Sequence, residues 1–156
     1  MEILLQNFDL VIFLVLAIFG YTAGSLAEKR HYRSIIKREK ELLKMAVVTA
    51  EGSFPPERIQ EVALVMGSVV ISIDYFKRIL AILRNIFGGR VKSYESLVDR
   101  ARREAILRMK ESAKEQGAKM IINMRLETAT IGRSANKKKS VGSVEAIAYG
   151  TAIVMN

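Results

Sequence analysis

The chain has 156 residues, half of them apolar, which gives room for one modest domain and an appendage. It contains no cysteine, which excludes disulfides and thiolate metal sites, and its single histidine, His31, excludes histidine-pair chemistry within one chain. A net charge of +9 asks for an anionic partner, nucleic acid or an anionic membrane surface, and the position of the charge decides between them.

Residues 1–9 are acidic, carrying Glu2 and Asp9, and Leu10–Ala27 then contains no charged residue. As a helix this stretch reaches about 27 Å at about 1.5 Å per residue, close to the roughly 30 Å of a hydrocarbon core. It lacks the polar face of a helix packed in a soluble core. Ser25-Leu-Ala27 has the small residues of a cleavage site, but a signal peptide opens on a basic region and this one is acidic. The reading adopted is an uncleaved single-pass anchor over residues 10–27. No Lys or Arg precedes it, whereas Lys29, Arg30, Arg33, Lys37, Arg38, Lys40 and Lys44 follow. The positive-inside rule then puts the N-terminus outside and everything after Ala27 in the cytoplasm, at the inner membrane. Lys29, Arg30, Arg33, Lys37 and Arg38 are the expected headgroup contacts, each contributing about 1 kcal/mol beside anionic lipid. Lipid accounts for them more economically than nucleic acid.

Gly20 and Gly24 have the Gly-x-x-x-Gly spacing that lets membrane helices approach, although glycine is also common in such helices without that role. Residues 28–44 read as a basic juxtamembrane stalk. Its apolar positions Ile35, Ile36, Leu42 and Leu43 are too sparse to predict deep packing.

From residue 45 the pattern changes. Val47-Val-Thr49 favours a short strand, and Pro55-Pro56 marks a loop. Val62–Ile73 is β-branched and interrupted only at Gly67-Ser68, predicting a long strand with a bulge or bend at Gly67, or two short strands. Asp74 caps a predicted helix with Phe76, Ile79, Leu80, Leu83 and Phe87 on one face, ended by Gly88-Gly89. Ser93 caps a second helix, on which Leu97, Ala101, Ala105, Met109 and Ala113 recur every four residues. That narrow stripe calls for a closely approaching partner, and the charged residues from Arg100 to Glu115 read as solvated faces with helical pairs. After Gly117, Met120–Ile131 alternates as a strand, Gly132–Gly142 is a polar loop carrying Lys137-Lys138-Lys139, and Val144–Met155 is the partner strand. The order strand, strand, helix, helix, strand, strand predicts an α+β domain over residues 45–156, with two helices packed on an antiparallel sheet.

Several features together resemble the YbjQ-like family, whose name invokes heavy-metal binding. They are Gly67-Ser-Val-Val-Ile-Ser before Phe76, the corner Gly88-Gly89-Arg90 with Tyr94, Ala101-Arg102-x-Glu104-Ala105, Ala113 before Gly117-Ala118, and Gly150-Thr151-Ala152. The resemblance covers the soluble part and none of the first forty-odd residues. It implies a dodecin-subunit-like α+β fold assembling as a ring, a pentamer, with Gly88, Gly89, Arg90, Ala101 and Ala105 in subunit packing. It brings no settled activity.

No chemistry is legible beside it. The serines lack a histidine in the domain to activate them, and there is no phosphate loop or dinucleotide fingerprint. Carboxylates and carbonyls suit hard cations rather than soft metals, so no metal site and no cofactor are expected. Arg90 at its corner either holds helix-end carbonyls or binds an anion. The lysine loop either stays solvated or meets headgroups or an acidic partner, and no aromatic accompanies it to stack nucleic acid bases. The expected protein is a non-enzymatic, membrane-anchored homo-oligomeric scaffold or accessory subunit, touching itself, anionic lipids and another membrane protein. The alternative is a metal-ion or small-ligand binding module, or an oligomeric channel.

Overall fold

The computed structural model describes residues 8–49, 58–72, 92–131 and 143–155. Helix α1 spans Phe8–Glu41, strand β1 Ala46–Val47, strand β2 Ile59–Ser72, helix α2 Lys92–Glu115, strand β3 Met120–Ile131 and strand β4 Ser143–Met155. The helix expected over Phe76–Phe87, the corner Gly88, Gly89 and Arg90, and the Lys137–Lys139 loop tip lie outside the described residues.

The sheet runs β1-β3-β4-β2. β4 pairs antiparallel with β2 and with β3, but β1 lies parallel to β3, so the sheet is mixed rather than antiparallel throughout. β1 meets β3 beside an irregularity in β3. Its register with β4 shifts between Ile122 and Arg125, and Asn123 takes φ 53°, a left-handed conformation that asparagine tolerates. The shift frees Met124 N–H to donate to the Val48 carbonyl, while Val48 N–H donates to the Ile121 carbonyl, both at 3.0 Å. It also breaks the strict alternation expected for this strand, since Ile121 and Ile122 are both buried.

β2 is continuous across Gly67, with a register irregularity only between Ile59 and Glu61, so the expected bend or bulge at the glycine is absent. Gly67 serves a different need. A Cβ there would collide with the Ala105 carbonyl oxygen and the Met109 nitrogen of α2, and would lie 2.8 Å from the Arg108 Cβ. The backbone of α2 therefore rests almost directly on the strand. The stripe Leu97, Ala101, Ala105, Met109 and Ala113 is fully covered there, packed with Val65 and Ile71 of β2, Val144, Ala146, Ala148 and Ala152 of β4, and Ile121 of β3. Ala101 and Ala105, expected to pack between subunits, are consumed inside the one chain. Small side chains on both surfaces permit this spacing, and close packing makes it stabilising.

α2 ends in a paired cap. Gly117 adopts φ +75°, its N–H donates to the Lys114 carbonyl, and Ala118 N–H donates to that of Ala113, both at 3.0 Å. Gly67→Ala is expected to cost about 1–3 kcal/mol by overpacking. Gly117→Ala has open space around it and is expected to cost about 1 kcal/mol, from φ alone. Denaturant titration of the two variants checks that order.

Candidate functional site

α1 does not stop at the membrane-compatible segment. It is one helix of 34 residues, long and apolar enough by length and composition to cross a membrane, with none of that window buried in the protein. Its second half carries Glu28, Tyr32, Ile35, Arg38, Glu39 and Leu42 at intervals of three and four, and this face lies on α2. Ile35 is fully buried, and with Leu42 and Leu107 it forms a second small core. Two well-placed residues were enough where sparse apolar content predicted a detached stalk. Ile36 and Leu43 are exposed, as the helical period requires.

The polar contacts at this junction are dense. Glu104 is the one buried charged side chain among the described residues, 4% exposed. Its carboxylate accepts from Arg38 Nη2 of α1, accepts from Arg108 Nε at 3.0 Å, and lies 3.4 Å from His31 Nε2. Arg108 also donates from Nη1 to the Ser68 carbonyl of β2 at 2.8 Å. One carboxylate thus ties the stalk, α2 and the strand beside Gly67 into a single chain of contacts. Arg38 reaches further to Glu111 Oε1 at 3.3 Å. Alongside, Arg103 grips Glu39 through both oxygens, at 2.7 and 2.6 Å. Lys110 Nζ donates to the Leu42 carbonyl at 3.2 Å, which satisfies a helix-end acceptor of α1.

At the other end of the junction, Tyr32 Oη donates to the Ser96 carbonyl at 3.2 Å and Ser96 Oγ donates to Glu28 at 3.3 Å. Arg100 and Arg103 each lie 5.9 Å from the centre of the Tyr32 ring.

Burial pushes the Glu104 carboxyl up, but hydrogen bonds and charge from Arg38 and Arg108 outweigh it and hold the group below its ordinary 4.5. The Arg103 hydrogen bond likewise holds Glu39 low against burial. The same partnership raises Arg103. Burial lowers Lys110, and burial with the Asp99 charge raises Tyr32.

The expected headgroup residues separate here. Lys29, Arg30, Arg33 and Lys37 are exposed, whereas Arg38 is turned inward onto Glu104. Gly20 and Gly24 lie on the uncovered half of α1. The solvated-face reading of α2 fails at Glu104, which adjoins Ala105 of the stripe and so cannot lie far from the core.

With this geometry in view, the kinship of the chain is clear. Residues 45–156 match the YbjQ family, described as "Putative heavy-metal-binding". The chain belongs to the YbjQ family. A UPF0145 protein of Pyrococcus furiosus is 38% identical over 110 residues, covering 70% of this chain and 90% of that one. One from Pyrococcus abyssi is 39% identical over 116 residues, covering 74% and 95%. A crystal structure of a protein of unknown function from Pediococcus pentosaceus aligns over 72% of this chain and 98% of its own, at 20% identity and a TM-score of 0.40. The YbjQ match begins at residue 45, so α1 lies before the matched region.

The commonest donors for a soft metal are sparse in this chain. Soft metals select thiolate, thioether and imidazole; the sequence has no cysteine, and its one histidine precedes the matched region, which leaves methionine as the soft donor there. Among the described residues no three His, Asp or Glu converge. His31 and Glu104 come together, but two guanidinium groups occupy the carboxylate.

Because Glu104 and Glu39 titrate below their ordinary values, their stabilisation is complete above pH 4.5 and is lost as pH falls through the depressed values. Thermal unfolding of the full chain should therefore weaken in that acid window, and Glu104→Gln should flatten the dependence. At pH 7, Glu104→Ala should cost about 2–4 kcal/mol, because it strands Arg38 and Arg108.

Proposed function

We propose that this chain is a non-catalytic, membrane-anchored and self-associating accessory or scaffold protein that holds its YbjQ domain against the cytoplasmic face of the inner membrane. The observation that carries this reading is α1. One uninterrupted helix is apolar and uncovered along its first half, and bound to the domain by ion pairs and a buried isoleucine along its second. Hydrocarbon is the solvent that suits the first half. The exposed Lys29, Arg30, Arg33 and Lys37 directly after it favour the cytoplasmic, anionic side for the domain.

Self-association is supported by β2. Its sequence is apolar on both faces, the pattern of a strand covered twice. α2 covers one face, and on the other Val62, Leu64, Met66 and Val70 are exposed by 56%, 73%, 59% and 54%. These four side chains form a patch on the order of 400 Å², the size at which an exposed apolar surface marks an interaction site. Among the described residues β2 is also an edge strand. A second copy of the chain, in a ring such as the pentamer that the family resemblance implies, would bury both features. Gly20 and Gly24 offer a further contact within the bilayer.

Full-length protein should stay with membranes through alkaline carbonate washing, and in detergent should sediment as a discrete oligomer at micromolar concentration. Leu64→Glu should dissociate that oligomer while leaving carbonate resistance intact. A wild-type monomer would overturn the self-association, and carbonate release would overturn the anchor.

A further inference from the structure

We propose that Arg100, lying over the Tyr32 ring, binds the phosphate of an anionic phospholipid headgroup at the membrane-side end of the α1–α2 junction; this rests on the membrane-anchored reading above.

The charge count at the junction singles out Arg100. Arg38 and Arg108 are engaged by Glu104, and Arg103 by Glu39 with Asp99 at 3.6 Å. Among the described residues no carboxylate pairs with Arg100, and its Nε is enclosed without a hydrogen-bond acceptor. Such a group is costly to bury. Burial lowers the Arg100 guanidinium from its ordinary value, against a weaker opposing effect of Tyr32. An anion at this point would supply the missing counter-charge, and the guanidinium fork suits two phosphate oxygens.

The depth is right for a headgroup. Tyr32 is five residues beyond Ala27, about 7.5 Å along the helix axis. Each leaflet's polar layer is about 5–7.5 Å thick, so Tyr32 stands at its outer edge. The two helices also run parallel: Ser96 lies opposite Glu28 and Tyr32, Arg103 opposite Glu39, and Lys110 opposite Leu42. The N-terminal end of α2 therefore points toward the anchor. Lys29, Arg30 and Arg33 of the same part of α1 are exposed. Tyr32 differs from them because its hydroxyl is hydrogen-bonded to Ser96 and its ring faces Arg100 at 5.9 Å. The competing role for Arg100 is a cover for the Tyr32 ring, with its head in water.

The two roles differ in what they predict for lipid binding. Full-length, delipidated protein in dodecyl maltoside is titrated with dioctanoyl phosphatidylglycerol, dioctanoyl phosphatidylcholine or inorganic phosphate, with bound lipid counted by native mass spectrometry. One phosphatidylglycerol per chain is expected to bind in preference to phosphatidylcholine. Arg100→Gln should weaken it at least tenfold, Arg100→Lys should fall between, and both should keep the lipid-free melting temperature. Equal lipid affinity in wild type and Arg100→Gln overturns the proposal, as does equal binding of phosphatidylcholine. Displacement of the lipid by equimolar inorganic phosphate overturns the lipid source. A fall of more than about 5 °C in the lipid-free melting temperature of Arg100→Gln assigns the residue to the Tyr32 cover instead. Carbonate washing of wild type in parallel reports the anchor alone, so its failure is distinguishable from loss of this site.

Discussion

The close seating of α2 on β2 at Gly67 is the constraint on which the other contacts depend. No side chain separates the strand from the Ala105 carbonyl and the Met109 nitrogen, so the helix lies low on the sheet. At that height Ala101, Ala105 and Ala113 pack in one buried cluster with Ala146, Ala148 and Ala152. The same height brings Arg108 within reach of the Ser68 carbonyl. A larger residue at position 67 would lift the helix and loosen both the core and the polar contact together, because a dense interior transmits such a displacement.

Arg108 carries that constraint outward. It binds β2 through one nitrogen and Glu104 through another, and Glu104 binds Arg38 on α1. The stalk is in this way fixed to the sheet through two guanidinium groups and one carboxylate, reinforced by Ile35 and Leu42 against Leu107. A buried carboxylate between two arginines is weak evidence for added stability, since desolvation offsets much of the attraction. Its geometric demand is stronger: each partner must be in place for the others to be satisfied. The helix that carries the apolar segment is consequently continuous in its mechanics with the YbjQ domain.

Among the described residues, two apolar surfaces remain outside this arrangement, the first half of α1 and the outer face of β2. They differ in shape and therefore in what suits them. A helix apolar on every side matches a lipid environment, which has no direction. An edge strand with four large side chains on a flat face matches another protein surface. The donor set is equally informative about the family description. Without thiol or imidazole, the soft donors left to the domain are methionine thioethers.

The sequence alone determined the apolar segment and its basic flank, the second helix with its glycine stop at Gly117, and the last two strands, because these depend on local periodicity and on single-residue conformational limits. It also determined the family, through motifs whose order and spacing survive in one chain. It could not determine the sheet's mixed character, which turned on β1 lying parallel against β3, nor the role of Gly67, whose sequence context fits a bend as well as a close contact. The partner of the alanine stripe was undecided for the same reason. A stripe of small residues demands a near neighbour but does not name it, and the inward face of β4 fills that place within the chain. Glu104 and Arg38, 66 residues apart, read as solvated surface in a one-dimensional pattern. Only the folding of α1 onto α2 gave them each other, because a side chain's partner is fixed by which surfaces meet and not by the spacing along its own helix.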